Sequence, residues 1–247
     1  MLPEEIELAR LEAEQADLKE QVASAELALE TAKAETSRFQ HRYYQTVGRL
    51  YAQLDDLDAQ IARMLMEQTP ADVVLKTRAR AAQQRAQSSA EEAGVVASQP
   101  ELPIEITPSL KHAYRQAVKL MHPDLATTDS ERRRRTVLMA LVNLAYERGD
   151  QVSIEQLIKE FGQDPEAITG EDVASRIVRT IRRIAQLRRR LAELASEMEA
   201  QENTDLFRLR KTTEDAEALG EDPLSVLAHQ LAQQISERKQ RLDRLHR

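Results

Sequence analysis

The sequence predicts an all-α fold: a short helical hairpin carried between long coiled-coil helices. Three observations predict it. About half of the 247 residues are Ala, Leu, Glu, Lys or Arg, a composition of long helices. Apolar residues recur at steps of three and four over most of the chain, as a heptad seam requires. No run alternates in the manner of a strand, and Val73-Val74 and Val95-Val96 are too short to form one. Aromatic residues are only 3% of the chain and tryptophan is absent, which argues against a large globular core.

Residues 3–68 hold one glycine, Gly48, and no proline after Pro3. Leu11, Leu18, Val22, Ala25, Leu29, Ala32, Phe39, Tyr43, Leu50, Leu54, Leu57, Ile61 and Met64 form the expected seam. Leu50, Leu54 and Leu57 add an extra four-residue step, which reads as a stutter that unwinds a supercoil locally. Phe39, Tyr43, Tyr44 and Tyr51 read first as a thick core layer where another helix packs, and second as a client site. Thr69-Pro70-Ala71-Asp72 predicts a restart, with a helix over about 70–92 that ends at Gly94. Residues 1–94 are thus expected to form an N-terminal arm. Pro100 and Pro103 mark residues 95–107 as a linker.

The segment from 107 to 150 carries the strongest signals. Thr107 is placed to cap a helix and Pro108 fits its first turn. The helix must stop at His122, because Pro123 removes a donor and restricts the residue before it. Leu110, Ala113, Ala117, Leu120 and Met121 are its expected apolar stripe, and Lys111, Arg115 and Lys119 its basic stripe. A second helix, from about Ser130 to Glu147, offers Val137, Leu138, Leu141, Val142 and Ala145 to the first. This region is net basic in a chain of net charge −7, which points to an acidic partner surface. A short helix with Ile154, Leu157, Ile158 and Phe161, capped by Asp150 or Ser153, is expected to cover one side of the hairpin and complete a module over 108–162.

The run SLKHAYRQAVKLMHPD resembles helix II and the following loop of the J domain, the DnaJ family. Leu110, Lys111, Ala113, Tyr114, Arg115 and His122-Pro123-Asp124 match without a gap. Val142-Asn143 and Ala145-Tyr146 resemble the family's helix III. The chain departs from the family at Gln116, Leu125 and Met139, and residues 95–108 show no helix I. The resemblance covers about forty residues of the 247. It implies a cochaperone that recruits a DnaK-type heat-shock ATPase and stimulates its ATP hydrolysis. On that resemblance His122, Pro123, Asp124, Lys111, Tyr114, Arg115 and Lys119 are the expected chaperone-binding residues. Asp124 would reach the partner while His122 and Pro123 hold the loop. A competing expectation is a coiled-coil structural adaptor whose hairpin makes protein contacts without stimulating the ATPase.

Residues 163–247 predict a C-terminal coiled-coil arm. A helix over 171–201 carries Val173, Ile177, Ile181, Ile184, Leu187, Leu191, Leu194 and Met198. After a turn at Asn203-Thr204, a further helical segment breaks near Gly220 and Pro223 and resumes with Leu224, Leu227, Leu231 and Ile235. The N-terminal seam is expected to meet this arm within one elongated chain, with a homodimer as the other way to cover it. The four-arginine run Arg132–Arg135 reads chiefly as a solvated helix face. The acidic chain, without aromatics between its basic residues, argues against nucleic acid. The five histidines lack paired metal-ligand spacing, and neither a phosphate-binding glycine loop nor a nucleophile elbow is present. No enzymatic activity and no cofactor are therefore expected. Cysteine is absent, the N-terminus has no apolar run, and no stretch matches a membrane span, so the expected compartment is the cytoplasm.

Overall fold

The computed structural model describes residues 2–97, 106–126, 128–162 and 173–246. The fold is all-α, and the described residues contain no strand. Helix α1 spans Pro3–Tyr43. A π-helical turn, Tyr44–Gly48, joins it to α2, Arg49–Gln68, and α3 follows over Val73–Ala97. The central module holds α4, Pro108–Met121, a single 3-10 turn over Pro123–Leu125, α5, Asp129–Glu147, and α6, Gln151–Gly162. Then come α7, Val173–Glu202, α8, Asp205–Ala218, and α9, Pro223–His246.

Two compact units result, and each draws on both ends of the chain. One comprises residues 1–35 and 102–204, the other residues 36–101 and 205–247. The expected division into N-terminal arm, linker, module and C-terminal arm follows the chain order; the units instead follow which seams meet. Residues 98–105 of the expected linker and 163–172 of the expected C-terminal arm, including the first two residues of its expected helix, lie outside the described residues.

In the first unit, α4, α5 and α6 close around one core. Leu110, Ala113, Tyr114, Ala117, Val118 and Met121 of α4 are buried, with Met139, Val142, Ala145 and Tyr146 of α5 and Ile154 of α6. The Tyr114 and Tyr146 rings lie 4.6 Å apart at 51°, and both are fully buried. The expected stripes are rotated from the observed ones. Leu120 is 46% exposed, Val137 62% and Leu141 46%. The cause is geometric: each helix advances 100° per residue, and the packing of α4, α5 and α6 on one another turns the sector with Tyr114, Val118 and Tyr146 inward.

A second layer of the same unit pairs α1 with α7. Leu11, Leu18, Val22 and Leu29 pack against Ile184, Leu187 and Leu194, with Ala25, Ile177, Leu191 and Met198 at the margins. The N-terminal seam therefore meets the C-terminal arm in the same chain. On α7 the buried row is Ile177, Thr180, Ile184, Leu187, Leu191, Leu194 and Met198, an unbroken alternation of three and four. Thr180, at 7% exposure, takes the place expected for Ile181, which is 49% exposed. Strict heptad phase decides this against the greater hydrophobicity of isoleucine.

In the second unit, Phe39 and Val47 pack with Leu224 and Leu231, and Tyr43, Leu50, Leu54 and Leu227 flank them. The aromatic cluster thus forms a core layer there, although Tyr51 is 38% exposed. Gly48 ends the π turn because a Cβ would collide with the Tyr44 ring. That turn inserts its extra residue just ahead of Leu50, Leu54 and Leu57, where the stutter is legible. Helix α3 starts at Val73, three residues later than expected. Asp72, not Thr69, caps it, accepting hydrogen bonds from the Val74 and Leu75 amides at 2.7 and 3.2 Å. It also runs past Gly94 to Ala97.

Candidate partner-docking site

The hairpin is set by its caps. Thr107 Oγ1 accepts the Leu110 amide at 3.2 Å and Pro108 opens α4. At the other end His122 turns to an extended conformation, ψ 135°, ahead of Pro123. Thr128 caps α5 by accepting the Glu131 amide at 3.2 Å. Between these caps the loop makes only the single turn Pro123–Leu125. Asp150 caps α6 by accepting the Ser153 amide at 3.0 Å.

The tip is held from three sides. His122 is only 8% exposed. Its Nδ1 accepts the Asp124 amide hydrogen at 3.2 Å, which leaves Nε2 to donate to Glu26 of α1 at 3.0 Å. The Asp124 side chain stays 30% exposed. Glu26 is shared: Arg190 of α7 approaches it at 2.8 Å and also reaches Glu197 at 2.8 Å. Burial opposes ionisation of Glu26, but the hydrogen bond from His122 and the charge and hydrogen bond of Arg190 outweigh it and hold the carboxyl below its usual range.

Arg135 supplies the third support. It donates to the carbonyls of Leu120 and His122 at 3.0 and 3.4 Å, at the C-terminal end of α4. Two bonds to Glu131, at 2.6 and 2.9 Å, orient its guanidinium, which lies 5.0 Å from the Phe161 ring centroid. The last arginine of the run is thus a tether of the loop and not a solvated charge. The Glu131–Arg135 spacing of four was the signal in the sequence that could have singled it out.

The basic stripe of α4 faces α1. Arg115 bonds Glu20 and donates to Ser24 Oγ at 3.2 Å, and Lys119 bonds the same Glu20. These bonds, the one from Lys119 foremost, hold the Glu20 carboxyl below its usual range. Lys111 is half-exposed and lies on the same stripe. Tyr114 is the one expected contact residue with no exposed surface: it is fully buried and donates to Asn143 Oδ1 at 3.0 Å. In this arrangement it shapes the core beneath the stripe. Tyr146, its stacking partner, exchanges a hydrogen bond of 2.8 Å with Thr31 of α1.

Six of the seven expected residues therefore lie on one side of the hairpin, with Tyr114 beneath them. Arg115, Lys119 and His122 bond to carboxylates of α1. The surface presents a cationic helix face and a loop with one partly exposed carboxylate at its tip. Among the described residues no group of three His, Cys, Asp or Glu is placed to hold a metal ion, and no helix is long and apolar enough to cross a membrane. Comparison of the chain with protein-family models, with curated proteins and with solved structures finds no match.

Proposed function

We propose that the chain is a cochaperone that recruits a DnaK-type heat-shock ATPase and promotes its ATP hydrolysis through His122-Pro123-Asp124. One observation carries the reading. The tripeptide stands at the tip of a hairpin whose first helix bears Lys111, Arg115 and Lys119 in one row, and Asp124 keeps a partly exposed carboxylate there. Asp124 supplies the charge that engages the ATPase. His122 and Pro123 hold the loop. The basic row attracts an acidic face and raises the association rate. The chain performs no chemistry itself, and its arms select client or location, in the cytoplasm.

A second reading is favoured by a different observation. Arg115, Lys119 and His122 are all bonded within the chain, as they would be in a coiled-coil adaptor whose hairpin is purely structural. Single-turnover ATP hydrolysis by a DnaK-type chaperone separates the two. The cochaperone reading expects stimulation by the native chain and loss of it in Asp124→Asn, with helical content unchanged by circular dichroism. Equal rates with the native chain, the variant and no added chain would leave the adaptor.

A further inference from the structure

We propose that α1 is a built-in mask of the docking face, an acidic helix that occupies in cis the basic row and loop that the partner must reach. The proposal rests on the cochaperone reading above and adds its regulation.

The occupancy is specific. Glu20 takes both Arg115 and Lys119, and Ser24 accepts a further hydrogen bond from the same amino group of Arg115. Glu26 takes His122 at the tip. An acidic surface on the ATPase would need the same cations and would compete with Glu20 and Ser24 for them.

The contact is also built to open. In the hairpin core α1 places Ala23, with Leu27 at the margin. Glu20, Ser24, Glu26 and Thr31 tie it to the hairpin through polar groups that water can satisfy. Glu26 keeps Arg190 after His122 departs, and Arg190 keeps Glu197, so opening strands no buried charge. The α1–α7 seam stays intact through Leu11, Leu18, Val22 and Leu29, so α7, which packs beside the Pro123–Leu125 turn, leaves the loop together with α1. Partner binding to the open state is then reduced by the fraction of open molecules.

The test uses the full chain and two variants on the exposed rim of α1. Glu20→Lys replaces the shared counter-ion with a cation, and Ser24→Arg sets a cation against Arg115 without touching Glu20. Binding to a DnaK-type chaperone in its ATP state is measured for each, with helical content checked by circular dichroism. Both variants should bind more tightly than the native chain, by up to about tenfold if roughly one molecule in ten is open at rest. Asp124→Asn added to either variant should abolish the gain. Equal affinity of the native chain and both variants overturns the mask and leaves the cochaperone reading standing. No binding by any of the three overturns the cochaperone reading and the mask together.

Discussion

The two faces of α1 solve the same packing problem with opposite chemistry. Toward α7 it presents Leu11, Leu18, Val22 and Leu29, an apolar row in heptad phase. Toward the hairpin it presents Glu20, Ser24, Glu26 and Thr31, with Ala23 as its buried apolar residue. An apolar seam is stable because every separated pair exposes hydrocarbon to water. A polar face offers bonds that water replaces at small net cost. One helix thus carries a permanent joint on one side and a releasable one on the other.

The largest expected effect lies in the seam. Leu29→Ala empties a site that is 1% exposed and should cost about 3–5 kcal/mol of unfolding free energy in urea titration. A loss under about 1 kcal/mol would mean that the seam is not the permanent joint.

Acid should act next, through Glu26. Its carboxyl is held below the ordinary range in the folded chain, so the stability it contributes is present above the unfolded carboxyl value, near about 4.3, and is lost as pH falls through the lower folded value. Thermal unfolding of Glu26→Gln should therefore start from a lower midpoint and show a flatter decline on the acid side. A variant whose acid limb coincides with the native one would remove Glu26 from the linkage.

The smallest effect is expected on the polar face. Tyr146→Phe deletes the 2.8 Å hydrogen bond to Thr31 while keeping the ring against Tyr114. It should cost about 1 kcal/mol in the same urea titration. A cost matching that of Leu29→Ala would erase the contrast between the two faces.

Much of the hairpin was legible because its signals are local. Thr107, Pro108 and Pro123 act on their own backbone or the next turn, so they mark the bounds of α4 without knowledge of the fold. The same reasoning misplaced the start of α3, where Thr69-Pro70 and Asp72 both offer a cap and Asp72 takes it. The stripes on α4 and α5 were harder. Leu120, Val137 and Leu141 sit at helical spacing as good as that of the buried residues, and only the neighbouring helices decide which 100° sector becomes the core. Arg135 was legible only in part: its spacing of four from Glu131 marks a paired residue, but the fold alone brings it to the end of α4.

By itself the sequence determined the helices, the heptad phase and the place of the His122-Pro123-Asp124 turn. These depend on backbone restriction and on periodicity, both of which act over a few residues. The tertiary structure decided the rest. It set α7 as the partner of the α1 seam, since a heptad row specifies burial before it specifies what buries it. It brought Glu20 to Arg115 and Glu26 to His122 across more than ninety residues of chain. Ion pairs at such separation leave no spacing in the sequence, because charge attracts through space and only the fold sets the distance.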